Sequence, residues 1–271
     1  MIITQEQRDF WNANSYLVFR GLLRERAADL ARWVEDLSRW PDDFSRWLKF
    51  YEMDDPTKLS RIENFVPYHE GLADVLLRGP LVDLISELMG ERALLYKERV
   101  NFKPPGGGAH AAHQDGVAYE SGSLAKFDPA VNPYISILIG VDQATIENGC
   151  LQVVPGWPVS KLDILRMERP YPKHPTFSKI AQSIEDALAW VPIETAPGDV
   201  LLFTERLPHR STANHSPRSR RILYGVYNPA SDGDRRVKYY EDKRRNINDA
   251  RYMVGNPHAP TPPISSASAA S

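Results

Sequence analysis

The residues best suited to chemistry in this sequence are a His-x-Asp pair and a distant histidine. His113 and Asp115 stand two residues apart, so on an extended backbone both side chains project from one face and can meet one metal ion. His209 follows an apolar, strand-like run in PGDVLLFTERLPHRSTAN and can supply a third ligand. Two imidazoles and one carboxylate form the facial triad of non-haem Fe(II) oxygenases, which leaves coordination positions open for O2 and a cosubstrate. Spacing alone leaves a second interpretation, in which the histidines are exposed loop residues.

A candidate anion-binding residue, Arg220, lies eleven residues after His209, where a turn leads into another β-rich run. A 2-oxoacid chelated at the metal would leave a distal carboxylate, and arginine offers a permanently charged, bidentate partner for it. The adjacent Arg221 should point to the opposite face of the strand. The alternative is a solvated basic turn, because Arg218, Arg220 and Arg221 form a run of like charge.

The elements that would position these residues change in character near residue 92. Before it, apolar residues recur at helical spacing in residues 24–40 and 71–89. After it, short β-rich runs separated by Gly, Pro and Asn cover residues 93–102, 134–142, 151–154, 199–204 and 221–227. This pattern predicts a helical N-terminal third followed by an antiparallel sandwich or barrel rather than a parallel α/β sheet.

Four other segments carry weaker signals. Residues 120–133 and 169–182 are long for plain connections and rich in residues that break regular structure, so they are candidate lids or binding loops. Residues 238–246 (KYYEDKRRN) mix charges and predict the solvated end of a helix. Residues 257–271 contain mostly Pro, Ser and Ala and predict a disordered tail.

Composition excludes several classes of function. The 33 basic and 35 acidic residues give a formal net charge of -2, which argues against a nucleic-acid partner. Cys150 is the only cysteine, so no intrachain disulfide can form. The longest apolar run, residues 134–141, is too short to cross a bilayer, and the N-terminus lacks the basic start and apolar stretch of a signal peptide. We therefore expect a cytoplasmic protein with a small-molecule substrate and no membrane contact; nothing in the sequence indicates an oligomeric state.

A resemblance to a known family is carried by the segments that contain these residues. The segments are VNFKPPGGGAHAAHQDG, VDQATIENGCLQVVPG and APGDVLLFTERLPHRSTANHSPRSRRILYGVYN, with QEQRDFWNANSYLVFRGLL near the N-terminus. In this order they resemble the phytanoyl-CoA dioxygenase family of Fe(II)/2-oxoglutarate-dependent oxygenases, over about residues 3–245. An ordered set of motifs is far more specific than any one of them.

The resemblance implies both a fold and a chemistry. The fold is mainly β with flanking α, a double-stranded β-helix (cupin-like jelly roll) with N-terminal helices, in one domain over residues 1–256. Fe(II) is held by His113, Asp115 and His209, and 2-oxoglutarate by Arg220. With O2, these hydroxylate an unactivated C–H bond of a small molecule and release succinate and CO2. Further cosubstrate contacts implied by the resemblance are Ser211, Asn101, Lys97 and Tyr119.

The sequence does not narrow the substrate to a single chemical class. The GGG run before HQDGVAYE and the segment HRSTANHSPRSRRILYGVYN most resemble the branch of the family that includes 2-aminoethylphosphonate dioxygenase. Candidate contacts for an anionic substrate are Arg99, Lys103, Arg206 and Arg210. Two substrate classes remain open. One is a small anionic or zwitterionic compound such as an aminophosphonate, and the other is a natural product that is hydroxylated, desaturated or cyclised. A Zn-dependent hydrolase and an inactive cupin-like binding protein remain as other classes.

Overall fold

The computed structural model describes residues 2–52, 55, 57–120, 133–169 and 178–247, with only the backbone of residues 119 and 120. The α-helices in this part of the chain are α1 (Gln5–Asn14), α2 (Ala27–Ser38), α3 (Glu70–Leu77), α4 (Pro80–Met89), α5 (Gly116–Glu120), α6 (Gln182–Glu185) and α7 (Arg236–Arg245). The strands are β1 (Tyr16–Phe19), β2 (Leu48–Tyr51), β3 (Leu59–Glu63), β4 (Ala93–Lys103), β5 (His110–His113), β6 (Ile135–Gly140), β7 (Leu151–Val153), β8 (Met167–Glu168), β9 (Lys179–Ile180), β10 (Val191–Ile193), β11 (Val200–Thr204), β12 (His209–Ser211) and β13 (Arg220–Pro229).

Two antiparallel sheets face each other across a shared core. The major sheet has seven strands in the order β1-β11-β6-β13-β4-β3-β2, and the minor sheet has four in the order β10-β7-β12-β5. Leu138 and Phe203 of the major sheet pack in one apolar cluster with Leu151 and Val153 of the minor sheet. The architecture is a cupin-like double-stranded β-helix flanked by helices, which confirms the predicted fold class.

Alternate side chains of strand β6, near the middle of the major sheet, point into two different cores. Ile135, Ile137 and Ile139 belong to the core on the helical side, whereas Leu138 belongs to the core between the sheets. Ser136 shares the face of Leu138 and reaches the candidate site. All six residues of β6 are buried, as expected for a strand covered on both faces.

The helical side of the major sheet is covered by α2, α3 and α4. Their apolar faces contribute Leu30, Leu72 and Leu84 to the same core as the β6 isoleucines. The predicted helical run over residues 71–89 is divided between α3 and α4, because Gly79 adopts φ 77° and Pro80 opens α4.

The prediction of a helical N-terminal third is incomplete, because β2 and β3 also lie there and extend the edge of the major sheet. These strands are only four and five residues long, and their sequences, LKFY and LSRIE, contain charged residues. Apolar residues at helical spacing before and after these two strands therefore dominate the sequence pattern and conceal the strands. The correction matters for function, because β3 supplies two side chains of the candidate site.

Helix α7 corrects a second prediction. Residues 238–246 suggest a solvated helix end, yet Tyr240 and Lys243 of α7 are buried. The Tyr240 hydroxyl donates to the Glu98 carbonyl at 2.8 Å and accepts from the Glu98 amide at 3.0 Å. These bonds dock α7 on β4, so the helix forms part of a cavity wall.

Other predictions lie beyond what the structure describes. Most of the candidate lids, residues 120–133 and 169–182, and the whole predicted tail fall outside the described residues. The single-domain boundary at residue 256 stays a prediction for the same reason. Within the described ranges, none of the helices combines the length and apolar character of a membrane span.

Candidate active site

Three buried side chains meet where β5 and β12 lie side by side. His113 ends β5, Asp115 follows two residues later, and His209 begins β12, where it lies opposite His113 in the strand pairing. One ligand atom from each of the three residues lies within 4.8 Å of the other two. The fold thus brings together the three residues that spacing alone could only suggest.

Hydrogen bonds to the backbone leave Nε2 of both histidines available to a metal. Nδ1 of His113 lies 2.7 Å from the Ala111 carbonyl, and Nδ1 of His209 lies 3.0 Å from the Leu207 carbonyl. A carbonyl can only accept, so each Nδ1 carries the proton and each Nε2 presents a lone pair. Ser136 Oγ donates to Asp115 Oδ2 at 3.0 Å and orients the carboxylate.

The electrostatic surroundings hold the three ligands in their metal-binding protonation states. Burial, with the nearby His209, lowers the pKa of His113 to about 3, and burial also lowers the pKa of His209. Burial alone would raise the pKa of Asp115, but His209 and Lys97 lower it well below its ordinary value. Two neutral imidazoles and one carboxylate are the donor set that suits Fe(II), so the residues present fit the metal that the sequence predicts.

A buried guanidinium marks the second part of the site. Arg220, at the start of β13, is 1% exposed, and its Nη1 donates to the Gly149 carbonyl at 2.5 Å. Its Nε has no hydrogen-bond partner among the described residues. Gly149 has φ 77°, and a Cβ there would lie 2.3 Å from the Thr212 carbonyl, so only glycine fits this turn. A buried guanidinium with an unused donor favours an anionic ligand, and the distal carboxylate of 2-oxoglutarate is such a group.

Three further polar side chains, Lys103, Ser211 and Asn101, lie at the Arg220 end of the site. Lys103 lies opposite Arg220 in the pairing of β4 with β13, and its Nζ donates to Ser211 Oγ at 2.8 Å and to the Thr212 carbonyl at 2.5 Å. Because Ser211 Oγ accepts this bond, its own O–H can be donated to a ligand. Ser211 and Asn101 line the cavity, and Oδ1 of Asn101 has no hydrogen-bond partner in the described part of the chain.

Replacement of Lys103 by methionine should raise the KM for 2-oxoglutarate about 10-fold, equivalent to ~1.4 kcal/mol, with a much smaller change in kcat. The physical reason is the loss of the buried donor that orients Ser211. The measurement is the dependence of succinate formation on 2-oxoglutarate concentration. A matched control is Lys49→Met, because Lys49 also donates to backbone carbonyls, of Ser38 and Trp40, but lies away from the cavity. An unchanged KM in the Lys103 variant would contradict this role.

The opposite part of the cavity is lined by basic side chains from three elements. Strand β4 contributes Lys97 and Arg99, β3 contributes Arg61, and α7 contributes Lys243. We call these four residues the cationic wall. Glu63 of β3 lies among them and accepts from Lys243 Nζ at 2.6 and 2.7 Å and from Arg61 Nη1 at 3.2 Å.

The four basic residues predicted to bind substrate have different locations. Arg99 lines the cavity. Arg210 also borders it, but its guanidinium donates to Gln152 and Glu185, each at 2.8 Å, on the other face of β12. Lys103 lies at the Arg220 end, behind Ser211, and is not among the described residues that line the cavity.

Arg206 and Tyr119 complete the set of predicted residues. Arg206 is buried beside Glu205, with 3.4 Å between Nε and Oε1, and it is not among the described residues that line the cavity. The structure therefore does not place Arg206 on the described cavity wall. Tyr119 lies in α5, and its side chain is outside the described part of the structure.

The cavity residues that the sequence did not predict include Arg61, Glu63 and Lys243. Arg61 and Glu63 alternate along β3, so a strand prediction there would have placed them on one face. Lys243 carries no comparable signal, because only the docking of α7 on β4 directs it into the cavity.

The fold and the centre together define a non-haem Fe(II)- and 2-oxoglutarate-dependent oxygenase. When bound, Fe(II) with 2-oxoglutarate and O2 supplies the oxidising power for C–H hydroxylation, with release of succinate and CO2. The protein's own residues would bind and orient the metal and the cosubstrate. His113, Asp115 and His209 would hold the metal, and Arg220 with Ser211 would hold the cosubstrate.

Comparison with known proteins agrees with this class. A family model described as phytanoyl-CoA dioxygenase matches residues 11–222. The 2-aminoethylphosphonate dioxygenase of the uncultured bacterium HF130_AEPn_1 is 38% identical over 245 residues, which cover 89% of this chain and 87% of that protein. The methylphosphonate hydroxylase of Gimesia maris is 37% identical over 247 residues, 90% of this chain and 88% of that protein. The chain belongs to the phytanoyl-CoA dioxygenase family.

Solved structures share the fold at lower sequence identity. EctD from S. alaskensis with bound Fe has a TM-score of 0.66 and 20% identity, and the match covers 85% of this chain and 78% of EctD. The epimerase SnoN, solved with Fe3+, alpha ketoglutarate and nogalamycin RO, has a TM-score of 0.63 and 16% identity, with 83% of each chain covered. At these identities the likeness supports the shared architecture alone.

Proposed function

We propose that this enzyme hydroxylates a small phosphonate. The observation that carries the proposal is the excess of positive charge on the cavity wall away from Arg220, where Arg61 and Lys243 are buried and Lys97 and Arg99 are partly buried. Arg61, Lys97, Arg99 and Lys243 face one cavity, and Glu63 is the carboxylate that lies among them. The remaining described carboxylates of the wall have other partners: Asp115 belongs to the metal site, and Glu98 pairs with Arg236. Such an excess favours an anionic ligand with several acceptor oxygens.

Burial disfavours the charged form of both lysines in the cationic wall. Burial lowers the pKa of Lys97 to about 7, although Asp115 opposes the shift. Burial likewise lowers the pKa of Lys243 to about 8, with Glu63 opposing. A bound anion would favour the charged form of both side chains, so anion binding and protonation of the wall are linked.

The names of two relatives support the same substrate class. One is named for 2-aminoethylphosphonate and the other for methylphosphonate, and the phosphonate group is what these two compounds share. An apolar natural product would instead favour an apolar wall, whereas the described wall of this cavity is rich in charged side chains. Dependence on 2-oxoglutarate, a central metabolite, supports the cytoplasmic location predicted from the sequence.

The test is substrate-dependent consumption of O2 by the purified enzyme with Fe(II) and 2-oxoglutarate. We expect methylphosphonate or 2-aminoethylphosphonate to stimulate O2 uptake and succinate formation at least about 10-fold more than their carboxylate counterparts, acetate and 3-aminopropanoate. Mass spectrometry should show the gain of one oxygen in the phosphonate. The proposal fails if neither phosphonate stimulates turnover above the level without substrate.

A further inference from the structure

We propose that Arg61, Arg99 and Lys243 form a subsite for the phosphonate group, and that Glu63 holds Arg61 and Lys243 in position. We call these three cations the headgroup subsite. The inference rests on the proposed function and assigns the side chains that would select its substrate. Of the three cations, only Arg99 was expected from the sequence.

The strand pairing brings two guanidinium groups to one face of the major sheet. Arg61 lies opposite Asn101 and Glu63 lies opposite Arg99 in the antiparallel pairing of β3 with β4. Paired residues in antiparallel strands project from the same face, and so do alternate residues along each strand. Arg61 and Arg99 are therefore diagonal neighbours, and both line the cavity that contains His113 and His209.

Lys243 approaches from α7 and is held there by bonds elsewhere on the helix. Tyr240 exchanges hydrogen bonds with the backbone of Glu98, and Arg236 forms an ion pair with the Glu98 carboxylate. These contacts fix α7 against β4 on the side of the helix that carries Lys243. The lysine is 3% exposed, so its ammonium group is committed to the cavity and does not extend into solvent.

Glu63 neutralises part of the positive charge of the headgroup subsite and holds Arg61 and Lys243 in position. Both of its oxygens accept from Lys243, and one also accepts from Arg61. Glu63 is itself only 3% exposed, and the two cations lower its pKa to about 2 against the opposing effect of burial. An ionised carboxylate in this position keeps two long side chains in fixed rotamers, which reduces the entropy lost when they bind a ligand.

The chemistry of the subsite matches a phosphonate group. A phosphonate presents three oxygens in a tetrahedral arrangement, and arginine and lysine are the side chains that bind such groups with charge-assisted hydrogen bonds. A carboxylate of similar size offers two oxygens in a plane and less negative charge. Three cations converging from β3, β4 and α7 therefore favour the phosphonate over its carboxylate counterpart.

The test compares substrate KM values among variants of the full enzyme. Lys243→Met and Arg61→Met should each raise the KM for methylphosphonate about 10- to 100-fold, with little change in the KM for 2-oxoglutarate. The double variant Glu63→Gln with Lys243→Met removes both charges of the buried pair and should show the same rise while avoiding an unpaired carboxylate. Arg244→Met is the matched control, since Arg244 of α7 donates to the carbonyls of Phe44 and Arg46 and should leave both KM values unchanged.

The outcomes separate this inference from the proposed function. If the unmodified enzyme shows no turnover with either phosphonate, the proposed function fails before any variant is made. If the unmodified enzyme turns over a phosphonate but these variants keep its KM, the function stands and the headgroup subsite is wrong. A rise in the KM for 2-oxoglutarate instead would assign the altered side chain to the cosubstrate and also overturn the subsite.

Discussion

Asp115→Ala should reduce the 2-oxoglutarate turnover of this enzyme by more than about 100-fold. Loss of a residue that merely supports a metal ligand costs about 10- to 100-fold in metal affinity or activity, and Asp115 is itself the anionic ligand of the centre. Its removal leaves two neutral imidazoles, which hold a divalent cation less tightly. The measurements are succinate formation and the iron content of the protein after reconstitution.

The control for this variant is Asp36→Ala, which removes an exposed aspartate of α2 and should change neither quantity. The experiment also separates the proposed chemistry from the other classes. A Zn-dependent hydrolase would consume neither O2 nor 2-oxoglutarate, and an inactive binding protein would form no succinate. Equal rates of succinate formation by the Asp115 variant and the unmodified enzyme would contradict the metal centre.

Arg220→Met should raise the KM for 2-oxoglutarate at least about 30-fold. Truncating one partner of a buried charge pair costs about 2 kcal/mol or more, and each 1.4 kcal/mol is a factor of ten in affinity. The guanidinium of Arg220 is almost completely buried, so water cannot replace it as the partner of the distal carboxylate. A titration of 2-oxoglutarate at saturating substrate measures the effect.

The adjacent arginine provides the matched control for Arg220. Arg221 points to the other face of β13, where its Nε and Nη2 donate to the Asp142 carboxylate, each at 2.8 Å. Arg221→Met should therefore lower thermal stability without changing the KM for 2-oxoglutarate. If the two variants raise this KM equally, Arg220 has no special role in cosubstrate binding.

The sequence predicted the metal centre because each ligand lies in or beside a short strand that can be recognised from neighbouring residues. His113 and Asp115 needed only an extended backbone to share a face, and His209 needed only the strand that precedes it. The five β-rich runs after residue 92 correspond to β4, β6, β7, β11 and β13. Their apolar residues are numerous enough to reveal the strands, since the runs lie in the sheets that enclose the core.

The substrate end could not be predicted in the same way. Closeness to a motif along the chain does not say which face a residue occupies, and Arg206 lies beside Glu205 away from the cavity. Lys243 is far from the motifs in sequence and reaches the cavity only because α7 docks on β4. Lys97, Arg99, Asn101 and Lys103 alternate along β4, but only the neighbouring strands determine that Lys103 lies beside Arg220 and Asn101 beside Arg61.

The position of β5 has a consequence for the whole minor sheet. β5 is the edge strand of that sheet, and it carries His113, while the next strand inward, β12, carries His209. A metal bound by both histidines would act as a cross-link between the edge strand and its neighbour, in addition to their backbone hydrogen bonds. By mass action, iron would then stabilise the folded state as well as the reaction centre. Iron depletion would therefore lower the amount of folded enzyme in the cell, and activity would fall for a structural reason as well as a chemical one.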